Sequence, residues 1–163
     1  MFLDLTENTN QNVYSYLVGG ISPRPIAWIS TLNSEGSANI APYSFFTVAS
    51  CKPAVLSVTQ VNPSDKTNKD TLSNLMATKE CVVNIVSQEL VEKMNQSCAN
   101  YPSDISEFDA ANIAQAPSKL VNAPSVADSK VRFECKLREV ISISNEPGGG
   151  KMMLLDVVGI CID

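Results

Sequence analysis

The chain has 163 residues, 44% hydrophobic and 18% charged, with a net charge of −5. That composition describes a globular chain and excludes a disordered one, and the acidic balance without a basic stripe argues against nucleic acid as a partner. There is no histidine, which excludes a histidine general base, a histidine-based triad and a histidine metal ligand, and no metal site is expected.

The length suits a single domain spanning 1–163. The five cysteines, Cys51, Cys81, Cys98, Cys135 and Cys161, include no CxxC pair and are odd in number. They read as free thiols in a reducing, cytoplasmic setting. The start, Met1 to Glu7, lacks the basic region of a signal peptide. No apolar run approaches the roughly 18 residues of a membrane-spanning helix, so no membrane association is expected.

Asn10 to Val18 predicts a short helix, with Val13 and Leu17, and Tyr14 and Val18, at i, i+4 spacing, stopped by Gly19-Gly20. Ile26 to Ile29 is an apolar run bounded by Pro25 and Ser30-Thr31, the pattern of a buried strand. Asn33 to Ser37 is turn chemistry, with Gly36 available for positive φ. A second strand starts at Ala38, is expected to break at Pro42, which has no N–H to give a central ladder, and resumes from Phe45 to Val48. Ala54 to Val61, rich in Val, Leu and Thr, predicts a third strand.

Asn68 is a suitable N-cap for a helix from Lys69 to about Lys79 with Leu72, Leu75 and Met76 as its buried stripe. The free N–H groups of such a helix start, with Lys69 and the Thr71 hydroxyl, suit an anion. Cys81 to Val86 reads as a buried strand, and Ser87 to Ala99 as an amphipathic helix with Leu90, Val91, Met94 and Cys98 on one face. Residues 103–129, rich in Ser, Asn, Ala and Pro, predict an extended excursion over the surface. From Lys130 to Ser144, Val131, Phe133, Cys135 and Leu137 alternate with Arg132, Glu134, Lys136 and Arg138, a half-exposed antiparallel strand. Asn145 to Gly150 reads as a hairpin turn, and Met152 to Ile162 as the closing strand. Many short strands, two helices and a long final hairpin suggest a mainly β fold, a closed barrel.

The first strand's end and the Pro42 region together offer hydroxyls, an amide and an aromatic ring to a planar, phosphate-bearing ligand. The blocks Pro23-Arg24-Pro25-Ile26-Ala27-Trp28, Ser30-Thr31, Gly36, Asn39-x-Ala41-Pro42-Tyr43-Ser44-x-Phe46, Lys69-Asp70-Thr71-Leu72 with Asn74, and Val82-Val83-Asn84-Ile85 resemble, in order and spacing, those of the flavin reductase-like family. The resemblance implies an FMN-binding split barrel with Greek-key antiparallel connections. It implies FMN as cofactor, NADH or NADPH as electron donor, and a symmetric homodimer.

On that resemblance the cofactor-binding residues are Ser30, Thr31, Asn39, Ala41, Pro42, Tyr43, Ser44, Lys69 and Thr71. Ser30, Thr31, Lys69, Thr71 and the helix start would meet the phosphate. Asn39 and the main chain at Ala41, Pro42 and Tyr43 would meet the ring, and Ser44 the ribityl chain or phosphate. Tyr43, Phe46 and Trp28 are candidate walls, with Trp28 better placed as core. Asp70 is expected to stabilise the helix start rather than touch the phosphate. Arg24 would anchor a nicotinamide nucleotide phosphate or pair with an acidic neighbour. No catalytic side chain is named, because the chemistry would belong to the flavin.

Two departures matter. Family members run some tens of residues further, so the family's C-terminal tail is expected to be lacking. In many family reductases a histidine stands where this chain has Cys161, which implies slower nicotinamide turnover here. The readings in competition are an NAD(P)H-dependent oxidoreductase passing electrons to flavin or another acceptor, a flavoredoxin-like carrier fed by a redox protein partner, and a cofactor-free interaction module.

Overall fold

A computed structural model describes residues 2–6, 12–63, 70–99, 101 and 105–163. Its elements in order are α1 (Val13–Gly20), β1 (Ala27–Leu32), β2 (Ala38–Tyr43), β3 (Phe46–Cys51), β4 (Ala54–Val61), α2 (Asp70–Thr78), β5 (Glu80–Ile85), a single 3₁₀ turn (Gln88–Leu90), α3 (Val91–Gln96), α4 (Glu107–Ala110), β6 (Gln115–Ala116), β7 (Ser125–Val126), β8 (Val131–Ser142) and β9 (Gly150–Ile162). The fold is mainly β, as expected. Seven strands form one antiparallel sheet in the order β2-β1-β5-β8-β9-β4-β3. No helix among the described residues is long and apolar enough to cross a membrane.

The two end strands of that sheet, β2 and β3, are consecutive in the chain and joined only by Ser44-Phe45. The Phe45 carbonyl accepts from the Thr59 N–H of β4 at 2.8 Å. One bent segment therefore pairs with β1 on one side and β4 on the other, which closes the sheet into a barrel. Pro42 does not break the strand, contrary to expectation: it lies within β2, opposite Trp28. Antiparallel partners alternate between bonded and non-bonded pairs. Ile40 turns its N–H away from β1, to Glu107, and Pro42, two residues on, faces the same way. A missing N–H costs nothing on that side. The break falls instead at Ser44-Phe45.

Inside the barrel, Ala27, Ile29, Tyr43, Leu56, Val58, Val83, Met153 and Leu155 pack with Leu72 and Leu75 of α2. The buried face of α2 is Thr71, Leu72, Asn74 and Leu75, and Met76, expected in that stripe, is exposed. Asn68 and Lys69 lie outside the described residues. Cys81 and Cys135 face each other across β5 and β8, both buried. Their contact, together with burial, pushes the Cys81 thiol well up from its ordinary pKa.

A second cluster lies on the outer face of β1 and β2. Trp28 and Ile40 pack there against Leu90, Met94, Phe108, Ile113 and Val126. The Trp28 indole N–H donates to Ser97 Oγ at 3.0 Å, which in turn donates to the Met94 carbonyl at 2.7 Å. Trp28 is core. Of the expected helical face at 87–99, Leu90 and Met94 are buried, but Val91, next to Leu90 and off that i, i+4 row, is exposed, and so is Cys98, because α3 ends at Gln96.

Among its described residues the excursion carries only α4 and the β6–β7 pair as regular structure, so its main chain needs other partners. Side chains of the strands supply them. Glu134 of β8 accepts from the Lys119 and Leu120 N–H groups at 2.9 and 2.6 Å. Glu80 accepts from the Asn122 N–H, Asn84 from the Val126 N–H, and the Ser30 hydroxyl donates to the Pro124 carbonyl. This corrects the reading of β8: Arg132 and Glu134, expected to face water, are buried, because the outer face of the sheet is covered here.

The remaining expectations differ in detail. The first helix runs Val13–Gly20, includes both glycines and buries no residue; its expected first residues, Asn10 and Gln11, are outside those described. The hairpin turn before β9 forms as expected, held by Asn62, whose side chain donates to the Ser144 and Glu146 carbonyls at 2.9 and 3.0 Å. The turn at Asn33 forms around its own side chain, which accepts from the Glu35 and Ser37 N–H groups, with Gly36 at φ +86°.

Two stability predictions follow from buried polar groups. Glu134→Ala removes the buried carboxylate that the Lys119 and Leu120 N–H groups donate to and is expected to cost about 1.5–3 kcal/mol. Urea unfolding measures that loss, and limited proteolysis should show new cleavage near residues 119 and 120. Gln60 faces the barrel interior beside Leu56 and Val58, 1% exposed, with neither amide atom bonded. Gln60→Met removes those unmet groups and is expected to raise stability by about 1–2 kcal/mol; a lower urea midpoint would refute this.

Candidate functional site

Four polar side chains from β1, β2 and α2 meet at one rim of the barrel. Thr31 and Asn39 are opposite one another on β1 and β2, so their side chains share the inner face. Thr71 and Asn74 come from the first turn and a half of α2, three residues apart and therefore on one helix face. The Asn74 amide donates to Thr31 Oγ1 at 3.0 Å, and the Thr71 hydroxyl donates to Asn39 Oδ1 at 3.1 Å. Thr31 Oγ1 lies 3.5 Å from the same Asn39 oxygen. Glu107 of α4 closes the network: its two carboxylate oxygens accept from Asn39 Nδ2, each at 3.0 Å, and Oε2 also accepts from the Ile40 N–H at 3.2 Å.

Burial pushes the Glu107 acid above the usual carboxylate range, opposed by the Ile40 N–H and the Asn39 amide and aided by the charge of Asp70. Tyr43 points into the barrel beside Thr71, and burial pushes its phenol up to about 12. It stays protonated at any physiological pH. A cavity of about 390 Å³ opens next to this network, lined by Asn33, Asn39, Asp70, Asn74, Glu107 and Asp109 among others. A shallower hollow of about 120 Å³ lies at the β2–β3 corner, between Tyr14, Pro42, Ser44, Phe45, Thr59 and Val61. The Tyr14 and Phe45 rings stand 6.5 Å apart, tilted by 44°.

The expected site residues divide as follows. Thr31, Asn39 and Thr71 are brought together; Ala41 and Tyr43 follow on the same face of β2. Ser30 is not with them. Successive strand residues face opposite ways, and Ser30 points outward, donating to the Pro124 carbonyl at 2.5 Å and accepting from Asn84. Pro42 also faces outward, at the corner. Tyr43 is 6% exposed and Phe46 packs against the inner cluster, so both rings belong to the core, and Tyr43 also borders the corner hollow. The N–H groups of Ala41 and Tyr43 point to β1, because Ile40 between Asn39 and Ala41 points away from it. Free main-chain donors therefore begin at Ser44. Lys69 lies outside the described residues.

Ser44 Oγ accepts from Arg24 Nε at 3.2 Å, and Arg24 also donates to the Val18 carbonyl and, at 2.7 Å, to that of Ile21. Arg24 thus holds the carboxyl end of α1 against the corner, a capping role that neither sequence expectation contained. Cys161 lies on a row of partners running Pro42, Trp28, Asn84, Arg132, Cys161 across five strands, four strands from Pro42. Its thiol accepts from Arg132 at 3.0 Å, next to Asp163. Among the described residues no group of three or more acidic or thiol side chains is placed to hold a metal ion.

Sequence reasoning missed Glu107 altogether. The only signal was a carboxylate set directly before Phe108, in a short acidic run with Asp104 and Asp109.

Comparison with known proteins matches residues 19–159 to the flavin reductase like domain. A protein of Aquifex aeolicus is 42% identical over 137 residues, covering 84% of this chain and 70% of that one. Protein YwrF of Bacillus subtilis is 37% identical over 138 residues, 85% of this chain and 67% of that one. Among solved structures, nitrilotriacetate monooxygenase component B from Bacillus cereus superposes with a TM-score of 0.92 at 29% identity, covering 99% of this chain and 81% of that one. The 2-nitrobenzoate 2-nitroreductase NbaA of Pseudomonas fluorescens gives 0.87, also at 29%, over 100% and 77%. A protein of Shewanella frigidimarina with a split barrel domain, at 21% identity and a TM-score of 0.83, shows the same fold. The barrel, the ordered sequence blocks and these likenesses agree: the chain belongs to the flavin reductase-like domain family.

Proposed function

We propose that the protein binds FMN and is an oxidoreductase that passes electrons from NADH or NADPH to a flavin or another acceptor. The observation that carries this reading is the Asn39 amide, held between Thr71 and Glu107 at the rim that leads to the β2–β3 corner. Bound FMN would supply acceptance of electrons from a nicotinamide and their delivery onward.

The residues fit such a group in parts. A flavin ring needs apolar walls with a few donors, and the corner hollow joins Pro42, Phe45 and Tyr14 to the Ser44 hydroxyl. That hydroxyl accepts from Arg24 and keeps its own proton to donate. The neighbouring cavity is lined by Asp70, Glu107 and Asp109, which repel a phosphate, so a cation is required; Lys69, next in sequence to α2, is the one we assign. Arg24 fixes the corner by holding α1 and Ser44 together. Tyr43 fills the barrel behind the site and, with its phenol pushed up to about 12, adds no charge there at physiological pH. Thr31 anchors Asn74 and keeps α2 on the rim.

For the acceptor, the name of the Pseudomonas fluorescens relative makes nitroaromatic compounds the first class to assay after free flavin. A homodimer is the assembly we expect. In its support, α1 buries no residue and exposes Tyr14, Tyr16 and Leu17, with Ile21 exposed just past its end.

Lys69→Ala is expected to weaken FMN binding about tenfold or more while leaving riboflavin binding unchanged, since a charge-assisted contact contributes about 1.5–3 kcal/mol. Equal losses for both ligands in fluorescence titrations would remove the phosphate role. Asn39→Leu is expected to weaken FMN and riboflavin alike and to shift the flavin's reduction potential. Purified protein that is colourless and takes up no added FMN would overturn the whole reading.

A further inference from the structure

The edge of β2 is where the excursion and the proposed flavin position meet. Strand edges present unpaired N–H and C=O groups. Along β2 the first of these are closed by two neighbouring side chains of the excursion. Ser106 Oγ donates to the Ala38 carbonyl at 2.6 Å, and Glu107 accepts from the Ile40 N–H at 3.2 Å. Between them Asn39 gives its amide N–H groups to the same Glu107 carboxylate.

A side-chain amide has a donor end and an acceptor end of nearly the same shape. Which end faces a ligand is decided by its partners. An ionised carboxylate can only accept, and the Thr71 hydroxyl at 3.1 Å donates to the amide oxygen. A flipped amide would set its oxygen against the Glu107 oxygens and lose both contacts to that carboxylate. Thr71 alone does not fix the choice, because a hydroxyl accepts as well as it donates. Glu107 does.

We propose that Glu107 is the positioning residue of this site: it fixes which end of the Asn39 amide faces the ring position and holds the β2 edge beside it. The proposal rests on the flavin reading above. Glu107 acts through Asn39 and not on the reacting atoms. Its charge has a second effect, since a carboxylate behind Asn39 disfavours added negative charge in front of it. Removing that charge makes reduction of a bound flavin easier. Among the described residues, the ionisable groups that face Glu107 are Asp70 from α2 and Tyr43 from β2, with Asp109 of its own helix lining the same cavity.

The test uses the full chain and the variant Glu107→Gln, which removes the charge and keeps an acceptor. The first readout needs no ligand. The side-chain NH₂ resonances of Asn39, identified by their loss in Asn39→Leu, are followed against pH. In the unmodified protein and in Asp70→Asn they are expected to move with one acidic titration, and in Glu107→Gln to stay fixed. The second readout is the reduction potential of the FMN-loaded protein, expected to shift to a more positive value in Glu107→Gln. Asn39 signals that titrate in Glu107→Gln as before, or an unchanged potential, overturn the proposal. Should Glu107→Gln lose its fold, Glu107→Asp takes its place. It keeps the charge and shortens the reach, so the Asn39 signals should shift yet still titrate; unshifted signals overturn the proposal. A protein that takes up no FMN at all sinks the flavin reading, while the Asn39 resonances still decide whether Glu107 governs the amide.

Discussion

One segment of chain serves as both ends of the sheet, and the rest of the structure depends on it. Because β2 passes into β3 through only Ser44 and Phe45, the strand that leaves β1 must join β4 at once. The bend cannot be paired on both sides, so backbone donors, a hydroxyl and an exposed hollow collect there. Helix α2 fills the rim next to the bend because Leu72 and Leu75 complete the barrel core, which carries Thr71 and Asn74 to the same place. Barrel closure thus gathers the site before any ligand is considered.

The outer face obeys a different constraint. Trp28, Val82 and their neighbours need cover, yet the segment that covers them is mostly irregular and brings unpaired main-chain groups with it. Buried unmet groups each cost about 1–3 kcal/mol. The strands meet that demand with Ser30, Glu80, Asn84 and Glu134, each bonded to the excursion's main chain. Glu107 is the same device in reverse, a side chain of the excursion satisfying the main chain of a strand. These four polar residues of the sheet's outer face fasten the excursion, whereas Lys136 and Arg138 further along β8 stay exposed.

What could be read from the sequence follows from this. Local patterns were legible: the runs Ile26 to Ile29 and Cys81 to Val86 form strands, with bounds Ala27–Leu32 and Glu80–Ile85, and the Asn33 turn and the final hairpin form as well. Ordered blocks also pointed to Thr31, Asn39 and Thr71, which the fold brings together. The failures share a cause. Pro42 was read as a break because a sequence does not show which strand is an edge. Arg132 and Glu134 were read as wet because alternation reports polarity and not cover. Ser30 was grouped with Thr31 because adjacency in sequence hides the two faces of a strand. Glu107 had no local pattern to give it away, since its partners lie 67 and 68 residues distant.

The cysteines offer a consequence of another kind. Cys81 and Cys135 are buried against each other inside the barrel, whereas Cys51 and Cys98 are exposed. A thiolate is the reactive form, and both burial and the raised Cys81 thiol keep the inner pair inert while the barrel is closed. The molecule therefore carries its own opening clock: outer thiols are modified at once by a small alkylating reagent, and the inner pair only as often as β5 separates from β8.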